Sequence, residues 1–504
     1  MDGDRGEMNM LELTPHIDDH ATEPKYAQLY SYIAKQIVNG TLVAGTRLPS
    51  IRTLAVHLQV SRNTVEAAYQ QLIAEGYVEN RSRIGLFVMP IEGDVKHAES
   101  RDRGSDRELA GGFTEEVERE PTQPLPTSVS LEDRDGSDKD AEIEIDFRHG
   151  NVDREKFPLI VWRKLANDLF RYRQDEALQY GHRQGEAGLR RAIAQYLYQS
   201  RGVRCTPEQI VMGAGIQQLL MLICQLIRQD TRSIAMEEPG YDGARAIFYH
   251  HGFEIEPIAL EAEGISVQQL RERNAGAVYV TPSHQFPQGM VMSIAKRMQL
   301  LQWANERGSI IIEDDYDGEF KYGAKPVPSL QGLDGHGRVI YVGTFSKSLL
   351  PSIRLSYMVL PPWLLTRYKL EFSAYEQTAS KLHQMTMERF MTEGHWDKHL
   401  RKMRKLYQEK HSTLLTALKK EMGDRVRVIG QQSGLHIVLQ VKHEHHEQQL
   451  IDAARTVGVK VYPTSTYRIQ QEADEMPSLL IGFGGLSLHQ IREGVERLSK
   501  VWFG

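Results

Sequence analysis

The stretch Thr344-Phe345-Ser346-Lys347-Ser348-Leu349-Leu350-Pro351-Ser352-Ile353-Arg354 follows an apolar, strand-like run, Val339-Ile340-Tyr341-Val342. It sets one lysine among small hydroxyls where a strand ends. A lysine that condenses with an aldehyde cofactor needs a tight, mostly dry turn, and an anionic phosphate beside it needs hydroxyls, free amides and a guanidinium. Thr344, Ser346 and Arg354 are the candidates for those tasks. The ordinary alternative is a lysine on a solvated loop.

Upstream, Ser309-Ile310-Ile311-Ile312-Glu313-Asp314-Asp315-Tyr316-Asp317 reads as a buried strand running straight into acid. Asp314 and Tyr316, two apart, project to one face. A carboxylate at the end of a buried strand needs a partner. A protonated pyridine nitrogen is one, and a phenol two residues on can hydrogen-bond a ring oxygen. A metal-binding acidic cluster and a solvated strand end are the alternatives. Further upstream, Gln209-Ile210-Val211-Met212-Gly213-Ala214-Gly215 reads as a strand, then a glycine turn that opens a helix. Free amides at a helix start, here Gly215, Ile216 and Gln217, favour an anion. Strands at Ser233 to Met236, Ala277 to Thr281, Ile310 to Asp314 and Val339 to Val342 alternate with helical patterns, which predicts an α/β domain with a mostly parallel sheet. A long basic helical region from about Thr378, then strands at Leu435 to Val441 and Leu479 to Phe483, suggest a smaller C-terminal α/β subdomain.

Residues 145–504 resemble the fold-type I, pyridoxal-phosphate-dependent aminotransferases, through Gly213-Ala214-Gly215-Ile216-Gln217, Glu237-Glu238-Pro239-Gly240-Tyr241, Asp314, Tyr316, Lys347 and Arg354. The resemblance implies pyridoxal 5'-phosphate as cofactor. Lys347 is then its aldimine lysine, Asp314 the pyridinium partner, Tyr241 the residue stacked on the ring and Arg354 a phosphate clamp, with Gly215, Ile216, Gln217, Tyr316, Thr344 and Ser346 also binding it. Two positions depart from the pattern. Where the family has Gly-Phe-x-Arg, with an arginine for the substrate carboxylate, this chain reads Gly482-Phe483-Gly484-Gly485-Leu486; Arg245 is a candidate substitute. Where the family has Asn-Pro-x-Gly it reads Phe286-Pro287-Gln288-Gly289, so the contact to the ring oxygen is lost or comes from His284 or Gln285.

Towards the N-terminus, Tyr26, Leu29, Tyr30, Ile33 and Ile37 keep helical spacing from Pro24 to about Asn39. Ser50 and Ser61 suit the N-caps of two more helices, joined by a turn at Gln59-Val60. Val65, Ala68, Tyr69, Leu72 and Ile73 face a core, and Gly76 stops the helix. Tyr77-Val78-Glu79 and Gly85-Leu86-Phe87-Val88 can pair as a hairpin carrying Arg81 and Arg83, a basic wing. Such a helix-turn-helix presents its recognition helix to a major groove. Residues 24–90 resemble a GntR-type winged helix, which implies that Arg52, Arg62 and Thr64 contact double-stranded DNA, with Arg47, Ser50 and Ser61 at phosphates and Arg81 on the wing. Winged helices also mediate protein contacts, and that alternative stays open.

The 504 residues exceed one ordinary core, which predicts two or three domains. The net charge of −6 hides a contrast. Residues 22–90 carry seven Lys/Arg against four Asp/Glu, a balance of +3, whereas residues 91–146 carry seven against eighteen, a balance of −11. Residues 1–23 read as a disordered start and 91–144 as an acidic, flexible linker. The linker serves as a tether, or it binds a basic partner or the large domain. Two cysteines, Cys205 and Cys224, make no disulfide framework or metal motif, so a reducing, cytoplasmic setting without bound metal is expected. An acidic N-terminus excludes a secretory signal, and no apolar run is long enough to span a bilayer.

Winged helix, linker and aminotransferase-like domain, in that order, identify the chain as a member of the MocR subfamily of GntR-type regulators. That implies an operator DNA, an amine, amino-acid or pyridoxal-phosphate effector, and a head-to-tail homodimer. A working aminotransferase that carries a DNA-binding domain is the alternative.

Overall fold

The structure, a computed structural model, describes residues 15, 17–18, 24–74, 77–81, 85–89, 143–322, 328–469 and 476–504. The expected N-terminal tail, except for those few residues, lies outside this set. So do Gly76, Arg83, residues 91–142 of the expected linker and the Arg81 side chain.

The N-terminal unit has three helices, α1 (Lys25–Val38), α2 (Ile51–His57) and α3 (Arg62–Ala74), and a hairpin of β1 (Val78–Arg81) and β2 (Gly85–Val88). Leu29, Ile33 and Ile37 on α1 meet Leu54 on α2 and Val65, Tyr69 and Leu72 on α3 in one buried core. Ser50 Oγ accepts from the Thr53 amide and Ser61 Oγ from the Thr64 amide, both at 3.1 Å, so each serine closes the open first turn of its helix. Gln59 turns the chain between α2 and α3 in the left-handed region, at φ +53°. Tyr69 donates from α3 to the Pro49 carbonyl at 2.9 Å, which fixes the two helices against each other.

The remainder begins with β3 (Ile145–Asp146), α4 (Leu159–Tyr172), α5 (Gln174–Ala177), α6 (Ala187–Arg201), β4 (Ile210–Gly213), α7 (Ile216–Ile227), β5 (Ser233–Glu238), α8 (Asp242–His250) and β6 (Glu254–Glu261). It continues through β7 (Gly264–Ile265), α9 (Val267–Glu272), β8 (Ala277–Val280), α10 (Ile294–Arg307), β9 (Ile310–Asp315), α11 (Leu330–Leu333), β10 (Val339–Thr344) and β11 (Ser356–Val359). Eight strands make one sheet in the order β4-β11-β10-β9-β8-β5-β6-β7. The centre is parallel, from β10 through β9, β8 and β5 to β6, while β11 and β7 run antiparallel to their neighbours.

The apolar runs are buried on both faces, as a parallel sheet between helices requires. Period-two alternation divides them. Ile310, Ile312, Ile340 and Val342 pack with α7 and α8 on one side, and Ile311, Val278, Val280 and Val339 with α9 and α10 on the other. Glu238, Val280, Asp315 and Thr344 end four strands of this parallel block on one edge, where α/β proteins place their sites.

After α12 (Pro362–Glu371) and α13 (Lys381–Thr392), which pack on α7 and on α4 and α6 of the larger one, the smaller subdomain is built from α14 (His395–Glu421), β12 (Val426–Ile429), β13 (His436–Val441), α15 (Glu447–Thr456), β14 (Val459–Lys460), β15 (Tyr462–Pro463), β16 (Ser478–Gly482) and α16 (Leu488–Phe503). Its sheet runs β12-β13-β16-β15. The segment near Ile145, where the aminotransferase-like residues begin, enters this subdomain first. Ile145 pairs with Val459, and Ile145 and Phe147 are buried among residues of α14 and α16. The pairing of β3 with β14 is only two residues long on each side, so the burial of Ile145 and Phe147 holds the segment in place. Among the described residues no helix is long and apolar enough to cross a membrane.

Candidate functional site

The strand ends surround a cavity of about 220 Å³ lined by Ile216, Tyr241, Asp314, Tyr316, Thr344, Ser346, Lys347 and Arg354, eight of the ten residues singled out from sequence for cofactor binding. The other two stand at its edge. Gly215 lies under Arg354, and Gln217 is exposed on the first turn of α7. Five more residues complete the lining: His149, Tyr279, Thr281, Phe286 and His436. Tyr279 and Thr281 carried a signal, because they stand two apart, within and just past the end of β8. His149 and His436 come from the smaller subdomain and carried none.

One end of the cavity suits an anion. Gly215, which has φ +108°, caps the start of helix α7, and the amides of a first helical turn have no carbonyl one turn earlier to bond. Arg354 lies across this turn, donating to the Ala214 carbonyl at 2.9 Å. A Cβ on Gly215 would stand 2.0 Å from Arg354 Nη2, so glycine is what lets the guanidinium settle there. Thr344 Oγ1 is 3.0 Å from Ser346 Oγ and 2.8 Å from Ser356 Oγ, which holds the hydroxyls together as a group.

The other end is acidic and incomplete. Asp314 is buried, and its Oδ2 accepts from the Tyr279 hydroxyl, whereas Oδ1 is buried without a hydrogen-bond partner. Burial pushes this carboxyl up to about 7. An N–H cation is the partner the free oxygen lacks, and the protonated nitrogen of a pyridine ring fits it. Tyr241 packs edge-on against Phe286, with ring centroids 5.8 Å apart. Lys347 is half-buried. Burial lowers the pKa of its amine, Arg148 adds to the lowering and Asp317 opposes it. More of this amine is therefore the nucleophilic free base than in an ordinary lysine. Its Nζ is 3.4 Å from the His149 carbonyl. His149, pushed down to about 3 by burial and by the cations Lys347 and Arg148, is a neutral wall residue, as is His436.

The residues expected to replace missing family contacts are placed elsewhere. Gln285 donates to the Pro239 and Phe286 carbonyls at 2.9 and 2.7 Å, and His284 stands behind Tyr316, so neither lines the cavity. Arg245 donates to the carbonyls of Tyr467 and Thr466 at 3.3 and 3.2 Å, where it ties down a loop. At Gly485 a Cβ would meet Asn151 Cβ at 2.8 Å, so this close approach leaves no room for a side chain. His284, Asp317 and His436 bring nitrogen and carboxylate atoms within 4.8 Å of one another, and hydrogen bonds of His284 to Asp317 and of His436 to the Pro287 carbonyl account for the cluster.

In the N-terminal unit Arg47, Ser50, Arg52, Ser61 and Arg62 are exposed and Thr64 is half-buried. Arg62 is the exposed first residue of α3. Ser50 Oγ and Ser61 Oγ each accept one helix-cap amide, and Thr64 Oγ1 lies 2.8 Å from Ser61 Oγ.

Comparison with known proteins gives two family matches, to bacterial regulatory proteins of the gntR family over residues 25–88 and to aminotransferase class I and II over residues 142–498. An uncharacterized HTH-type transcriptional regulator of Bacillus subtilis, YdeL, is 43% identical over 98% of this chain and 100% of its own length. The probable rhizopine catabolism regulatory protein MocR of Rhizobium meliloti is 33% identical over 96% of this chain and 95% of its own. Among solved structures, the multiple substrate aminotransferase of Thermococcus profundus superposes with a TM-score of 0.65 at 26% identity, covering 72% of this chain and 92% of that one.

Proposed function

The chain belongs to the MocR subfamily of gntR-family regulators, in which a winged helix is joined to an aminotransferase class I and II domain, and from that premise we propose that it is a DNA-binding transcription regulator whose cavity binds pyridoxal 5'-phosphate and senses an amine or amino acid. The observation that carries the reading is the pairing of Lys347 with the unpartnered Asp314 Oδ1 across one cavity, on a chain that also begins with a capped helix-turn-helix.

In this reading Lys347 holds the cofactor's aldehyde carbon, and Asp314 holds its ring nitrogen. Tyr241 covers the ring face, and Arg354, Ser346, Thr344 and the start of α7 hold the phosphate. When bound, the cofactor supplies an exchangeable carbon–nitrogen linkage that an incoming amine can take over from Lys347. The amine's arrival frees the lysine, and that change biases the arrangement of the DNA-binding units. Arg52, Arg62 and Thr64 contact an operator, in the cytoplasm. A second copy of the chain completes the regulator as a head-to-tail homodimer; the exposed Leu159, Ile160, Tyr172, Leu178 and Tyr180 supply apolar area for such a contact.

A sensor is favoured over an enzyme by the treatment of the substrate carboxylate. Gly485 has no side chain for it and Arg245 is engaged with backbone carbonyls, so neither of these positions clamps the Cα bond in line with a ring, and a small misplacement costs about a hundredfold in rate. The deciding experiment screens amines and amino acids against cofactor-loaded protein for spectral change and for turnover with keto acids. Spectral change with little or no turnover is expected. Sustained turnover at ordinary enzyme rates overturns the regulator-first reading.

A further inference from the structure

We propose that His284, fixed in orientation by Asp317, aims the Tyr316 hydroxyl proton into the cavity and so makes Tyr316 the donor to the cofactor's ring oxygen; this rests on the reading of the cavity as a pyridoxal 5'-phosphate site. His284 Nδ1 is 2.9 Å from Asp317 Oδ2 and 2.9 Å from Tyr316 Oη. A carboxylate only accepts, so Nδ1 carries a hydrogen and has no lone pair left for the phenol to donate into. Tyr316 therefore accepts or shares that hydrogen. Its own proton is left for the opposite side, the wall where Tyr316 lines the cavity.

The imidazole is closely packed in this arrangement. His284 is 1% exposed, and a Cβ on Gly434 would stand 1.9 Å from its Cε1 and 2.1 Å from Nδ1. A Cβ on Gly289 would stand 3.1 Å from its Nε2. Two left-handed glycines, at φ +76° and +72°, thus make the slot in which the ring is wedged. The His436 ring lies 4.5 Å away, and its own Nε2 donates to the Pro287 carbonyl at 3.2 Å.

The device matters in this chain because Phe286 stands where related enzymes carry an asparagine donor. A phenyl ring donates nothing, and the neighbouring Gln285 amide is spent on backbone carbonyls. Tyr316 is then left to serve the ring oxygen, and an unaimed phenol divides its proton among competing acceptors. The charged groups around Tyr316 are Asp314, Asp315 and Asp317 from its own strand end, Glu237 from β5 and Lys347 from the turn after β10, beside the imidazoles of His284 and His436. Burial and these acids keep Tyr316 a phenol, able to donate. His284 touches Tyr316 and not the cavity, so it is a positioning residue.

The test follows the visible absorption band of full-length protein loaded with pyridoxal 5'-phosphate as pH is varied, with borohydride fixation at Lys347 read by mass as an independent measure of loading. A donor to the ring oxygen loosens the proton which that oxygen shares with the Lys347 nitrogen, so loss of the donor raises the titration midpoint. His284→Leu is expected to raise it by roughly half to one pH unit, the size of one lost hydrogen bond. Tyr316→Phe raises it at least as much, and the double variant matches Tyr316→Phe alone. His284→Asn, whose amide donates where Nδ1 does, stays near wild type; His284→Gln, whose amide lies where Nε2 does, shifts like leucine and replaces it if leucine prevents folding. Asp317 also acts on Lys347 directly by its charge, so the substitutions are made at His284. An unshifted midpoint in the leucine and glutamine variants, or additive effects in the double variant, overturns the proposal while leaving the cofactor site intact. Wild-type protein that takes up no cofactor at Lys347 overturns the site reading, and this one with it.

Discussion

Asp314 and Asp315 are consecutive on one strand, and their carboxylates meet opposite electrostatic settings. Asp314 is buried with one oxygen unpartnered, and burial raises it to about 7. Burial also acts to raise Asp315, but Arg201 Nε at 2.6 Å, helped by the Tyr341 hydroxyl at 2.6 Å, outweighs that and leaves it below the usual carboxylate range. The first keeps one buried oxygen free of hydrogen bonds, and the second is paired with a cation inside the protein.

A stability prediction follows from Asp314 in cofactor-free protein. The folded state keeps a proton there that the unfolded chain releases, so stability falls as pH rises from about 4 to about 7 and levels off above. Asp314→Asn removes that loss. Denaturant titration should find the variant more stable than wild type at pH 8, by about 2–4 kcal/mol, with the gain vanishing near pH 4. The same variant should retain pyridoxal phosphate poorly; equal stability of the two proteins at pH 8 would refute the buried, unpartnered carboxylate.

Lys347→Ala should fold, because the half-buried lysine side chain makes little of the core, yet show no visible band after incubation with pyridoxal phosphate. Near-ultraviolet dichroism and absorbance on one sample check both halves. A persisting band would place the reactive amine on another lysine.

Gly215→Ala should weaken phosphate-end binding more than it destabilises the fold. The added Cβ displaces the Arg354 guanidinium, and φ +108° is itself strained for alanine. Cofactor affinity measured by dialysis is expected to fall at least tenfold. Unchanged affinity would show that Arg354 reaches the anion without resting on Gly215.

Substitutions at the N-terminus should separate two roles. Arg62→Ala should cost about 1–3 kcal/mol in operator binding and reduce its salt dependence, with unfolding unchanged. Ser61→Ala loses the α3 cap and should cost about 1 kcal/mol of winged-helix stability. Parallel binding and melting curves distinguish them; a melting loss in the arginine variant would make Arg62 a structural residue.

Much of this site was legible because strand periodicity and strand ends carry it. Asp314 and Tyr316 sit two apart, within and just past the end of β9, and Lys347 lies in the turn after β10, so local sequence points both toward one edge. His149 and His436 were not legible, since they arrive from another subdomain across a sequence gap that no local pattern spans. Gln285 and Arg245 misled for a different reason. A donor's type can be read from sequence, but which acceptor it has already taken depends on packing, and both had taken backbone carbonyls. The entry of Ile145 into the smaller subdomain rested likewise on distant partners, Val459 beside it and the α14 and α16 residues that bury it.

The connection from β10 to β11 carries Lys347 and Arg354 together. Its base is closed by the Phe345 amide on the Leu355 carbonyl at 3.1 Å and by Ser356 on Thr344 at 2.8 Å. Its length therefore works as a ruler, setting how far the amine stands from the guanidinium. Point substitutions within it leave that gauge intact, whereas inserting or deleting a single residue moves one end of the cavity relative to the other. Variation among functional descendants of this chain should accordingly be free in side chain along the exposed part of the connection and frozen in residue count.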